Sequence, residues 1–259
     1  MNILAFFAHP DDETMLAGGT LALLARQGAA VHYLSATRGE GGETGEPPQA
    51  DQERLGEVRE QEMVCAVQAL GGRSLTFLGY VDPTVGPDGE LYPYTDDLTF
   101  LSGQVAASIR QFSADAVVTH GSNGEYGHPA HVLTYQATLV AVLSFGEGAP
   151  RLYTAAASFP EHPKPRLSNK DDPADLVLDV RAVLEQKQQA ALCHRTQHAL
   201  FVRRASKEAG RQLTVPEVIV KVESLHRAYP PIEEGRLSDD PIAELLKPWS
   251  TDASNAGQQ

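Results

Sequence analysis

The chain has 259 residues, 42% of them apolar and 7% aromatic, which is enough side chain for one large core and too much for a disordered polymer. Its 34 acidic against 21 basic residues give a formal charge of −13, a field that repels nucleic acid and anionic bilayers and speaks against either as a partner. Cys65 and Cys193 form no CxxC motif and fall in helix-like stretches, so a disulfide framework and a sulfur-rich metal site are both excluded, and two buried, reduced thiols are expected.

Residues 2–8 form a continuous apolar run, as a strand buried on both faces requires, with no basic leader before it. Residues 19–28 have helical spacing of Leu21, Leu24 and Ala25, and Ala30–Thr37 reads as a second strand. Residues 38–51 are rich in Gly and Glu and form a loop; 52–70 make a long amphipathic helix stopped by Gly71 and Gly72; 74–78 give a third strand. Residues 79–97, with their glycines, prolines and tyrosines, read as a covering lid.

After a helix at Leu98–Phe112 comes a buried strand at 115–119, a loop at 121–129 and a helix at 131–143. Strands at 152–157 and 176–180 and a helix at 181–199 continue the alternation, whereas the rest has weaker punctuation. The β-loop-α-β order predicts an α/β fold: a mostly parallel twisted sheet with helices on both faces, a Rossmann-like three-layer arrangement. One domain over residues 1–249 and a disordered polar tail at 250–259 are expected. No run of about 18 apolar residues exists, so no membrane contact is expected and a cytoplasmic location is the default.

The loop after the first strand reads His9-Pro10-Asp11-Asp12-Glu13, where an open α/β sheet places its ligand-binding loops. An imidazole and a carboxylate three residues apart can converge on one cation, and Pro10 limits the freedom of the turn. Acids at a helix N-terminus or N-cap would account for the carboxylates but not for the histidine.

The strand at 115–119 ends in a second polar loop, Tyr126-Gly127-His128-Pro129-Ala130-His131, with His120 nearby. Strands of a parallel sheet end on the same side, so the two loops can meet although over 100 residues separate them. Protein ligands drawn from His, His and Asp leave a fourth position for water, the pattern of a catalytic zinc site at the carboxyl ends of the strands; Fe(II), Co(II) or Mn(II) suit the same donors.

With these motifs the chain resembles the LmbE-like, PIG-L-type deacetylases, which act on N-acetylglucosamine conjugates and related amides. The likeness extends to Gly18-Gly19-Thr20, Thr37-Arg38-Gly39-Glu40, Arg59-Glu60-Gln61-Glu62 and the stretch from Lys187 through His194 to Gln197, and covers about residues 1–200. It implies that His9, Asp12 and His131 bind zinc, that Asp11 is the general base, that His128 and Tyr126 face the reacting carbonyl, and that Arg59 and Asp82 hold sugar hydroxyls. The alternative for Arg59 is a structural ion pair with Glu62, and Glu13 is assigned to support or capping. The chain departs from the common pattern at Ala130, where many relatives carry an acid.

The resemblance implies a metal-dependent N-deacetylase whose partner is a small amino-sugar conjugate, and it is compatible with a homo-oligomer. Two alternatives stay open: an amidase of the same chemistry cleaving a larger amide such as a thiol-sugar conjugate, and a catalytically silent sugar- or zinc-binding protein. A dinucleotide-dependent oxidoreductase is disfavoured because no GxGxxG follows the first strand. The basic side chains Arg203, Arg204, Lys207 and Arg211 are read as a solvated face, with contact to an anionic substrate group as the rival.

Overall fold

The computed structural model describes residues 1–232 and 240–251. Its strands are β1 (Asn2–Phe7), β2 (Ala30–Thr37), β3 (Ser74–Tyr80), β4 (Ala116–Thr119), β5 (Arg151–Ala155), β6 (Ala157–Ser158), β7 (Asn169–Pro173), β8 (Leu176–Asp179), β9 (Val222–Tyr229) and β10 (Ser250–Thr251). The α-helices among the described residues are α1 (Asp12–Arg26), α2 (Leu55–Ala69), α3 (Leu98–Phe112), α4 (Gly124–Gly127), α5 (Pro129–Leu143), α6 (Leu184–Cys193), α7 (His198–Ala209), α8 (Val215–Val218) and α9 (Pro241–Leu246).

One sheet runs in the order β10-β8-β9-β5-β4-β1-β2-β3. The five strands from β5 to β3 are parallel, while β9, β8 and β10 pair antiparallel at the other end. The period of two along β1 explains the layers: Ile3, Ala5 and Phe7 pack into one cluster with α1, α2, α6 and α9, whereas Leu4, Phe6 and Ala8 pack into the other with α3 and α5. The mostly parallel three-layer architecture is as expected.

Four features differ from the sequence reading. Helix α1 begins at Asp12, because Gly18 and Gly19 are not breakers: a Cβ at Gly19 would lie 2.5 Å from that of Val180, so only glycine lets the helix approach so closely. Residues 181–199 hold α6 and the start of α7 instead of one helix, and β9 lies where the chain has only weak punctuation. Ser250 and Thr251, expected in the tail, pair with β8; residues 252–259, the rest of that tail, lie outside the described residues.

The expectation of reduced, buried thiols is overturned. Cys65 and Cys193 form a disulfide with a Cα separation of 5.7 Å, and Cys65 is exposed. Helices α2 and α6 lie side by side on one face of the sheet, which brings together two cysteines 128 residues apart, a proximity that local spacing does not encode.

Beneath α1 is a buried ion pair. Lys187 of α6 lies 2.6 Å from Glu223 of β9, whose carboxylate also accepts from the amides of Gly19 and Thr20 and the hydroxyl of Thr20, each at 2.7 Å. Two of the sequence motifs are thereby joined in one place. Arg203 pairs with Glu43 and Glu46, Arg204 with Glu208 and Arg211 with Glu217, all on the surface, as a solvated face requires. No helix among the described residues is long and apolar enough to cross a membrane.

Candidate active site

The sheet reverses its winding at β1, which has β2 on one side and β4 on the other. A crevice opens beyond the carboxyl ends of such a pair, and both polar loops enter it, the first from β1 and the second from β4.

In the first loop the chain turns sharply at Asp11, whose φ of 107° puts a non-glycine residue in the left-handed region. Backbone of this sort costs about 1–3 kcal/mol and is over-determined by its surroundings. Here Glu13 does the holding: it accepts from the Asp11 amide at 2.9 Å, from the Thr14 hydroxyl at 2.6 Å, and lies 2.9 Å from His194 Nε2. The Asp11 side chain caps nothing and is left for other work. Burial pushes its carboxyl up to about 7, with the Arg59 guanidinium opposing and the Asp12 charge adding.

In the second loop Gly124, Glu125 and Gly127 all have positive φ, so the chain folds back on itself before α5. His128 becomes the N-cap of α5, its Nδ1 accepting from the Ala130 amide at 3.2 Å, with Pro129 in the first helical turn. Burial, then the neighbouring His131 and His9, lowers His128 to about 3. Ala130 itself is fully buried against the α3–α5 cluster.

The two loops converge. Asp12 lies 3.3 Å from His9 Nδ1 and 3.4 Å from His131 Nε2, and the three side chains are almost fully buried. Donor atoms fall into two overlapping sets within 4.8 Å, His9 with His128 and His131, and Asp12 with His120 and His131. The rings of His128 and His131 stack at 4.4 Å, and the exposed ring of Tyr126 meets both edge-on.

These residues fit a divalent cation. His9 Nε2 is buried without a hydrogen bond, Asp82 lying 3.2 Å away but out of line, and burial notwithstanding, the carboxylates of Asp12 and Asp82 raise His9 to about 10. The carboxylates facing His9 thus favour a cation at the place where a metal would sit. His120 is already committed, its Nε2 taking the Ala8 amide at 3.0 Å and its Nδ1 facing Glu125 at 3.1 Å.

Arg59 does not form the ion pair with Glu62 that was its structural alternative. It is 3% exposed, and its fork donates to the carbonyls of Gly39 at 2.9 Å and Pro10 at 2.6 Å, with Asp11 at 3.5 Å. Glu62, the alternative partner, instead accepts from Thr196. The guanidinium is turned to the backbone of the loops after β1 and β2, a brace behind Asp11, because the position lies on the inward face of α2 where a charge must be satisfied. Asp82, by contrast, stands beside His9, its amide held by Glu40.

The expected lid has no regular structure between β3 and α3 apart from turns. Its ends are fixed: Tyr94 is buried with its hydroxyl 2.9 Å from Thr134, and Tyr80 packs on it and donates to Gln104. Val81, Val85 and Tyr92 protrude. The later motif reaches back to these loops, His194 through Glu13 and Gln197 through a 2.9 Å bond to the Glu43 carbonyl. Sequence reasoning missed Glu125, which sits at the base of the second loop; its only signal was an acid in a glycine-rich turn.

Residues 4–142 match the model of the family described as PIG-L, GlcNAc-PI de-N-acetylase. The chain is 34% identical over 239 residues to the 1D-myo-inositol 2-acetamido-2-deoxy-alpha-D-glucopyranoside deacetylase of Rhodococcus jostii (strain RHA1), covering 75% of this chain and 81% of that protein. Among solved structures, the 4-carboxy-2-hydroxymuconate hydratase of Pseudomonas putida KT2440 superposes with a TM-score of 0.60 at 24% identity, covering 90% of this chain and 98% of that one. The N,N'-diacetylchitobiose deacetylase of Pyrococcus horikoshii does so with 0.59 at 18%, covering 87% and 82%. A hydratase and a deacetylase share this fold, so the fold alone does not select the reaction.

Proposed function

The chain belongs to the PIG-L family of de-N-acetylases, and from that premise we propose that it is a zinc-dependent hydrolase removing the acetyl group from an N-acetylglucosamine-type conjugate. One observation carries the reading: His9, Asp12 and His131 meet at the switch point beside Asp11, a carboxylate that neither caps the helix nor shares the Asp12 contacts. With His120 committed elsewhere, these three are the proposed ligands, and their nitrogen and oxygen donors would equally accept Fe(II), Co(II) or Mn(II).

Zinc held there would polarise the acetamide oxygen and lower the pKa of a water from 15.7 toward roughly 7. Asp11, braced by Arg59 and poised near neutrality, takes the proton as water attacks the carbonyl carbon. His128 accepts the Ala130 amide at Nδ1, so its proton is on Nε2 and the ring is neutral. It serves as a hydrogen-bond donor to the carbonyl oxygen as charge builds, with Tyr126 at the rim of the same site. Asp11 then returns its proton to the leaving nitrogen as the C–N bond breaks, giving acetate and a free amine. Asp82, 3.2 Å from His9 Nε2, is the proposed contact for a sugar hydroxyl.

Metal analysis coupled to amine release on a panel of N-acetylglucosamine conjugates tests this, with the inositol conjugate named for the Rhodococcus relative included. His9→Ala, Asp12→Ala and His131→Ala should each lower bound zinc, while Asp11→Asn keeps zinc and loses about 10²–10⁴-fold in turnover. Full metal content in the Asp12→Ala protein would overturn the ligand assignment, and no amine release from any conjugate by the zinc-loaded wild type would overturn the activity.

A further inference from the structure

We propose that Glu125 is the positioning residue of this centre, fixing the tautomers of His131 and His120 with one carboxylate and thereby joining the two site loops. The inference rests on the reading of His131 as a metal ligand. Glu125 Oε2 lies 2.6 Å from His131 Nδ1 and 3.1 Å from His120 Nδ1. A carboxylate accepts and does not donate, so each imidazole must carry its proton on Nδ1. The Nε2 of His131 is then a bare lone pair, and it is the atom that faces Asp12 at 3.4 Å. The Nε2 of His120 is likewise bare and takes the Ala8 amide, the residue immediately before His9. One side chain therefore sets a ligand of the second loop directly and the backbone of the first loop through a single imidazole.

Glu125 is itself held on every side. Its Oε1 accepts from the Gly121 amide at 3.1 Å and from Asn169 Nδ2 at 3.2 Å, and its own amide donates to Asn169 Oδ1 at 2.9 Å. A side chain at Gly121 would collide with Asn169, so the glycine makes room for that partner. The φ of 59° at Glu125 turns the carboxylate inward instead of toward solvent, leaving it 5% exposed. A carboxylate behind a metal-binding histidine orients the ring and raises its basicity, and the loss of such a partner typically weakens metal binding 10–100-fold.

The test is Glu125→Gln, nearly isosteric. Both rings share Oε2, while Oε1 accepts from Gly121 and Asn169, so the amide nitrogen faces two donors in either orientation: either both rings lose their acceptor, or the bonds that hold the side chain in place are broken. Zinc affinity, measured by competition with a chromogenic chelator, should fall about 10–100-fold. Long-range ¹H–¹⁵N spectra of histidine-labelled wild type at pH 8, with and without zinc, should show His120 and His131 protonated at Nδ1. That arm does not depend on the variant folding. A Glu125→Gln protein binding zinc within threefold of wild type, or a wild-type His131 or His120 protonated at Nε2, overturns the proposal. Failure of the wild type to bind any divalent metal would instead defeat the proposed function, while the tautomers would still decide the role of Glu125.

Discussion

Replacing Lys187 with methionine should remove an ammonium of similar length from a site where both charged side chains are 1% exposed. The Glu223 carboxylate is left buried without its cation, a change that costs about 3–5 kcal/mol when nothing compensates. Three donors remain on the carboxylate, the Gly19 and Thr20 amides and the Thr20 hydroxyl, so the lower end, about 3 kcal/mol, is expected. For a chain of this size that corresponds to a fall in Tm of roughly 6–12 °C. Glu223→Gln should be comparably harmful, since its amide nitrogen would face one of those donors, and the two changes together should cost at least about 1 kcal/mol less than their sum. Urea unfolding followed by tryptophan fluorescence provides the cycle. Additivity within about 0.5 kcal/mol, or a loss below about 1 kcal/mol for Lys187→Met, would refute the view that this pair fastens α1 to β9.

Ala130→Asp should destabilise the protein by about 2–3 kcal/mol, because the alanine is fully buried in an apolar cluster; an unchanged Tm would show that the site opens to water. Removing residues 85–91 while keeping Tyr94 should alter KM and preference across the substrate panel but leave zinc content intact, and an unchanged substrate profile would reject the lid. Cys65→Ser should lower stability by about 2–4 kcal/mol, and a reductant should shift wild type by the same amount; equal melting of the two proteins without reductant would disprove the bond.

What the sequence disclosed was what local pattern encodes. The apolar run of β1 and the polar residues that follow it mark a strand end, and parallel topology then brings His9 and Asp12 to His131. Beyond reach were features created by long-range packing. Gly19 reads as the start of a helix because its contact with Val180 is invisible in the sequence, the partners of Arg59 lie on two separate loops, and the cysteines look unrelated because α2 and α6 are neighbours only in space. Glu125 was hidden for a similar reason, since its partners His120, His131 and Asn169 come from three separate segments. Strand β9 alternates too weakly to announce itself and is placed by pairing with β5 and β8.

The bond between Cys65 and Cys193 closes a covalent ring, and the whole lid lies inside it. A single cut at the exposed lid tip, near Val85, would therefore not divide the molecule: the pieces would travel together on a non-reducing gel and separate only with a reductant. The cut ends would also stay near their places, since Tyr80 on one side and Tyr94 on the other are anchored to α3 and α5. Topologically, residues 81–97 belong to the stretch of chain that can be severed once while the two site loops remain in one covalent body.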